Sequence, residues 1–402
     1  MPEQTIDVVV AGHICLDIIP KFAAAGAFSD LLRPGTLTQM SALTMSTGGP
    51  VSNTGIGLGI LGMKIALMGK IGDDDLSGSL LGLLAKRGLD KTMVQVPGEQ
   101  TSFTVVLAPP NIDRIFLHCP GANNSYGPDD LQLDVIGKAK IFHLGYPPLM
   151  RNLYANDGEN LAEIYRRVKN THPHVLTSLD MSLPDPATES GQVNWTKVLE
   201  KTLPYVDFYL PSAEESLFML ERDRFLAMRE AAKGKNVELL DHISAADIMR
   251  LADKLRAMGP KVVNIKSGHR GIYTRTAPRA ELATLPLFTP AQLDSWSGRE
   301  LWHAAFNVEN IGSATGSGDS SIAGFLSAFL RGYAIEDALK MSNAVGGCNV
   351  TALDALSGLK PWDETEQLVT SGWPNRPPHI NNDEWKNVVP DRLWAGPNDQ
   401  RK

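Results

Sequence analysis

The chain predicts an α/β fold: a mostly parallel central sheet flanked by helices, with a small β-lid beside it. Three observations carry that expectation. Short β-branched runs alternate with longer helical patterns along most of the chain, the rhythm of parallel strands joined by crossover helices. Two stretches break the rhythm with alternating segments between turn residues, which suits a patch of antiparallel strands. Finally, a turn of small residues, Gly316-Ser317-Gly318, is followed after Asp319-Ser320-Ser321 by the apolar run IAGFLSAFL, which has good helical period.

The strand-like runs fall at residues 6–10, 64–68, 140–144, 175–179, 206–210 and 262–265, with helices expected over 51–61, 76–86, 246–258 and 320–330. The lid is expected from about 13–46 and 101–120, where SFTVVLA and RIFLH alternate. Residues 1–361 then form the main domain, and residues 362–402 a proline- and tryptophan-containing extension. WPNRPPH and VVPDRLWAGP show no clear period, so the extension is expected on the surface, with Trp373, Trp385 and Trp394 packing against something.

Composition narrows the function class. With 402 residues, 43% hydrophobic and 21% charged, the chain is long enough for one α/β enzyme domain with additions. A net charge of -7, without a block of Lys or Arg, argues against nucleic acid as a partner. Cys15, Cys119 and Cys348 are far apart and lack C-x-x-C spacing, as expected of buried thiols in a reducing compartment. The opening MPEQTIDVVVAG runs into a strand without the features of a leader, and the apolar stretch 56–68 is interrupted by Gly57, Gly59, Gly62 and Lys64. A soluble cytoplasmic protein with no membrane association is the expectation.

Small residues at the mouth of a helix let backbone N–H groups converge on an anion, and the helix dipole adds to the attraction. Asp319 follows that turn directly. Two readings stay open for it: a base that takes a proton from an incoming hydroxyl beside a bound phosphoryl group, or a plain helix cap. Gly57-x-Gly59-x-x-Gly62 formally matches a dinucleotide fingerprint but lies inside or at the end of a helix, so close packing is the better explanation. Gly69-Lys70 lacks the upstream glycine and the following Ser or Thr of a Walker A loop, and the nine histidines show no metal-ligand spacing. His143 and Tyr146 follow a strand whose carboxyl end should face the crevice, yet ordinary packing is favoured for His143 and neither is taken as a site residue.

The segment Ala314-Thr315-Gly316-Ser317-Gly318-Asp319 resembles the second signature, D-T-x-G-A-G-D, of the ribokinase (phosphofructokinase-B) family of carbohydrate kinases. The first signature has its counterpart in Gly48-Gly49-Pro50-Val51-Ser52-Asn53, continuing through Gly69-Lys70-Ile71-Gly72-Asp73-Asp74 to Gly78. Asp17, Gly121-Ala122-Asn123, Pro211-Ser212-Ala213-Glu214-Glu215 and Lys266-Ser267-Gly268-His269-Arg270-Gly271 resemble further family elements, so the likeness runs from about residue 6 to 359.

The resemblance implies a three-layer ribokinase-like fold and ATP-dependent phosphorylation of a hydroxyl on a small-molecule sugar or sugar acid. It implies Asp319 as the base, with Gly316, Ser317 and Gly318 forming the anion hole. Asp17, Gly48, Gly49, Asn53 and Asn123 would meet the acceptor. Lys266, Ser267, Gly268, Gly271 and Asn343 would meet the nucleotide, and Glu215 would hold Mg²⁺ through water. A homodimer through the lid is compatible with this reading. A nucleoside kinase of the same fold and a sugar-binding sensor without turnover are the alternatives. The chain also departs from the pattern: Ser313 and Ala314 replace Asp-Thr, which implies that any monovalent-cation site there is weakened. Ser317 stands for Ala, and Ser212 for Asn before the glutamates.

Overall fold

In the computed structural model, which describes residues 5–23, 25–110, 114–233, 238–378, 380 and 384–401, the core sits on both faces of one sheet. Period-two alternation puts it there. In β1 (Ile6–Gly12), Val8 and Val10 join one apolar cluster while Val9 and Ala11 join the other. The same split separates Ile141 from Phe142 in β9 (Ala139–Gly145), and Phe208 from Tyr209 in β11 (Phe208–Tyr209). A strand buried on both sides must be apolar at every position, which explains the continuous Val, Ile and Leu runs.

These strands, with β4 (Ile65–Met68), β10 (Leu176–Leu179) and β12 (Val262–Lys266), pair in parallel in the order β4-β1-β9-β10-β11-β12. Helices Arg151–Thr171, Ala213–Leu220 and Ala245–Ala257 cover one face, and Pro50–Ile60, Ser317–Leu330 and Ile335–Asn349 the other. The result is the three-layer fold expected from the sequence. The Gly57 to Gly62 run lies within and at the end of the Pro50–Ile60 helix. A Cβ on Gly57 would come 3.3 Å from the Ala323 Cβ, and one on Gly59 3.3 Å from the Ile65 Cδ1, so the run serves helix packing.

The lid is a separate sheet in the order β3-β2-β7-β8, formed by β2 (Cys15–Phe22), β3 (Met40–Gly48), β7 (Phe103–Leu107) and β8 (Ile115–Cys119). The expectation of a purely antiparallel patch is corrected at one pair, because β2 and β7 are parallel. Between them the chain leaves the lid, adds β4 to the main sheet and the short parallel pair β5 (Lys70–Gly72) and β6 (Val94–Val96), then returns in the direction of β2.

Four strands absent from the sequence reading complete the main sheet: β13 (Ile272–Thr276), β14 (Glu300–His303), β15 (Lys386–Val389) and β16 (Leu393–Ala395). All pair antiparallel in the order β15-β16-β14-β13, so the extension is built into the sheet edge rather than laid over the surface. Its tryptophans do pack. Trp385 is buried against Tyr273 and Trp302, with ring centroids 6.1 and 6.0 Å away, and Trp373 stacks on Phe306. Among the described residues, no helix is long and apolar enough to cross a membrane.

Ion pairing anchors the chain end. Arg299 and Asp399 are 3% and 1% exposed, and the Arg299 Nε donates to both Asp399 carboxylate oxygens at 3.0 and 3.2 Å, while Glu336 takes another guanidinium N–H. Asp399→Ala leaves a buried guanidinium short of one carboxylate. It should lower the unfolding free energy by about 3 kcal/mol in denaturant melts, and a loss below about 0.5 kcal/mol would show that the pair does not hold the extension in place.

Candidate active site

The helix Ser317–Leu330 begins after Gly316, whose φ of 74° lies in the left-handed region that glycine adopts without a Cβ penalty. That bend aims the first turn of the helix, whose N–H groups have no intrahelical acceptor, at the crevice. The Ser317 N–H already donates to the Ala314 carbonyl at 3.2 Å, so an anion here must compete for it. Asp319, one residue beyond Gly318, has no exposed surface.

Three side chains from two other elements converge on the Asp319 carboxylate. Asn53 Nδ2 donates to Oδ2 at 3.0 Å and Thr54 Oγ1 to Oδ1 at 3.2 Å, both from the Pro50–Ile60 helix. The third donor is the Tyr146 hydroxyl, 3.0 Å from Oδ2, just past the end of β9. Burial pushes the Asp319 carboxyl above its ordinary range, and the bonds from Asn53, Tyr146 and Thr54 pull it part of the way back. Tyr146 holds a left-handed backbone with φ 61° ahead of Pro147, an uncommon conformation for an aromatic residue. Its position at a strand's carboxyl end was the one signal in the sequence.

A second buried carboxylate, Asp180, follows β10 and was not singled out from the sequence. Its Oδ1 accepts from Lys266 Nζ at 2.5 Å, and the same ammonium reaches the Leu210 carbonyl. Burial pushes the Asp180 carboxyl up and the Lys266 ammonium pulls it back, leaving it above the usual carboxylate range. The Lys266 stem runs past the glycine turn: a Cβ on Gly318 would lie 3.3 Å from its Cε. A cation therefore stands beside the helix mouth. His143 is fully buried, with Nδ1 3.0 Å from the Ser178 Oγ, the packing role expected of it.

The lid carries or borders the residues expected to meet an acceptor. Asp17 sits on β2 opposite Ser46 of β3, and a Cβ on Gly48 would lie 2.4 Å from its carboxylate, so only glycine leaves room. A Cβ on Gly49 would lie 2.6 Å from the His13 carbonyl, with φ at 82°. Burial pushes the Asp17 carboxyl up to about 6. Around it lie the Cys15 thiol, 3.4 Å away, and Thr104, its partner across the β2–β7 pair. Asn123 is fully buried with both polar atoms on the Ile14 backbone, at 3.2 and 2.8 Å. Any role toward an acceptor runs through the backbone it staples.

A cavity of about 820 Å³ opens beside the glycine turn, and Asp17, Gly48, Gly49, Asn53, Asn123 and Asp319 are not among the residues that line it. Tyr146, Gly316, Ser317, Gly318, Lys266, Gly268, Gly271, Asn343 and Glu215 line it. Ser267 does not; its side chain is buried, with Oγ 3.5 Å from the Ile265 carbonyl. The Asn343 amide donates to the His303 and Ala304 carbonyls at 3.0 and 3.2 Å, which fixes the wall. Glu215 accepts the Ser212 N–H at 2.7 Å in a capping box, the local signal of S-x-x-E. One of its oxygens is thus engaged, and among the described residues no group of three or more His, Cys, Asp or Glu could hold a metal. The donor set fits a hydrated Mg²⁺ carried on phosphate oxygens, and does not form an all-protein cage.

A family profile described as "pfkB family carbohydrate kinase" matches residues 5–362. A 5-dehydro-2-deoxygluconokinase of Shouchella clausii is 23% identical over 91% of this chain and 96% of its own length. A probable fructokinase-3 of Arabidopsis thaliana is 26% identical over 48% of this chain and 52% of its own. Among solved structures, Arabidopsis thaliana ribokinase complexed with ribose and ATP superposes with a TM-score of 0.64 at 18% identity, covering 90% of this chain and 98% of that one. Thermotoga maritima ribokinase gives 0.62 at 18%, covering 91% and 99%.

The Asp319 surroundings make one expectation specific. Tyr146→Phe keeps the ring and its packing but removes a hydrogen bond that favours the ionised carboxyl, so Asp319 should ionise at higher pH in the variant. Infrared difference titration of the carboxyl band checks this, and coincident titrations would contradict the bond.

Proposed function

Because the chain belongs to the pfkB family of carbohydrate kinases, we propose that it transfers the γ-phosphoryl group of ATP to a hydroxyl of a sugar or sugar acid, with Asp319 as general base. One observation carries the reading: a fully buried carboxylate stands beside a glycine turn at a helix mouth, held by donors from the acceptor side. Asp319 would accept the hydroxyl proton as the oxygen attacks phosphorus. The burial that raises its pKa makes it a better base than an exposed carboxylate. First-turn N–H groups near Gly318 and the Lys266 ammonium would take up negative charge on the transferring group. Asn53 and Tyr146 hold the carboxylate in place. Bound Mg²⁺, with Glu215 reaching it through water, would neutralise phosphate charge.

The acceptor would lie between Asp17 and Asp319, with its hydroxyls paired to the Asp17 carboxylate and the Asn53 amide. The 5-dehydro-2-deoxygluconokinase relative, aligned over nearly its whole length, supports a sugar acid as acceptor. The fructokinase relatives support a neutral ketose. Nucleotide supply and the three free thiols suit the cytoplasm. A homodimer through the lid is supported by Leu43, Met45, Ile115 and Leu117, exposed apolar residues of its two outer strands.

Asp319→Asn keeps the shape but cannot take the proton, so kcat should fall by about 10²–10⁴ with ATP affinity nearly unchanged. Near-normal turnover in the variant would sink the assignment. At residue 313 a serine stands in place of the aspartate of the family signature, and its hydroxyl accepts the Thr315 N–H at 3.0 Å, which removes one charged ligand for a monovalent ion. Replacing K⁺ with a large organic cation at constant ionic strength should change the rate by less than about twofold. Saturable K⁺ activation would show that other oxygens rebuild the site.

A further inference from the structure

The family profile stops at residue 362, yet the chain beyond it returns to the cavity. Residues 373–376 run antiparallel to 304–307. The Arg376 N–H donates to the Ala305 carbonyl and the Asn307 N–H to the Pro374 carbonyl, each at 2.8 Å, and Phe306 and Asn375 form a bridge. Side chains lock the turn in place. Asn375 donates to the Ala304 carbonyl at 3.0 Å and accepts from Arg392 Nε at 3.0 Å. The Trp373 indole stacks on Phe306 with centroids 4.7 Å apart and planes at 27°, and its N–H reaches the Asn307 carbonyl at 2.8 Å. Behind it, a Cβ on Gly347 would lie 3.1 Å from the Trp373 ring, so a helix glycine leaves room for the extension.

This fold-back places Arg376 on the cavity wall. The lining is of two kinds. The glycine turn, Lys266 and Glu215 offer N–H groups and charge suited to phosphates, whereas Phe306, Val308, Ile311 and Val350 are apolar and suit a flat heterocycle. Arg376, bonded through its backbone to Ala305, stands with the second group.

We propose that the C-terminal extension is part of the donor site, and that Arg376 lays its guanidinium on the nucleobase of the phosphoryl donor. A planar, weakly hydrated guanidinium stacks well on a π-face, and the fixed backbone of 373–376 limits the entropy lost in doing so. The inference rests on ATP being the donor, as proposed above.

The test compares wild type with Arg376→Ala and Arg376→Gln, using ATP titration calorimetry, separate KM values for ATP and acceptor, and competition by inorganic tripolyphosphate. Loss of the stacked cation should raise the ATP Kd and KM by about 5- to 30-fold. The acceptor KM should move far less, and the tripolyphosphate inhibition constant should stay where it is in wild type. Unchanged ATP affinity in both variants overturns the proposal and leaves the kinase reading standing. Equal weakening toward ATP and tripolyphosphate also overturns it, by placing Arg376 on the phosphates. A wild type that binds no ATP overturns the donor assignment and this inference together.

Discussion

The arrangement of the molecule turns on keeping one carboxylate, Asp319, entirely out of water. An unpaired charge in such a place costs several kcal/mol, so the fold must deliver compensating donors to within hydrogen-bond reach. They come from the Pro50–Ile60 helix and the end of β9. For Asn53 and Thr54 to reach Asp319, two helices on the same face must lie nearly in contact, and the Gly57–Ala323 approach permits that. Small residues that look like a loss of core volume are thus the condition for the site's electrostatics.

The same carboxylate couples the two halves of the crevice. Asn53 belongs to the segment that begins where β3 leaves the lid, and Lys266 belongs to the far side of the sheet. His13, at the turn from β1 into β2, lies 3.3 Å from His118 on β8, and the Asn123 amide clasps Ile14 in that turn. The lid is therefore tied to the core near Asp17. Its four strands hang from the carboxyl end of β1, where open α/β sheets keep their ligands.

What was legible in the sequence was what local spacing encodes. Strands buried on two faces read as unbroken apolar runs, and a glycine turn before a helical period announced the Ser317–Leu330 helix. Tyr146 and Asp180 were harder, since each is one residue after a strand and its role arises only when distant segments converge. Glu215, which the resemblance assigned to Mg²⁺, has a local use that was not read: Ser212-x-x-Glu215 forms a capping box. The strands of the extension were hidden for another reason. β15 is exposed along its whole length and so carries no alternation to read.

That exposed strand has a consequence for how copies of the chain meet. An open sheet edge is a template on which further strands can add without limit. Here the last edge is four residues long, opens with Lys386 and is broken by a register shift between Asn387 and Val389, features that bend and charge a strand against propagation. At the opposite margin β4 is equally short. Among the described residues the main sheet thus ends on both sides in strands poorly suited to recruit another.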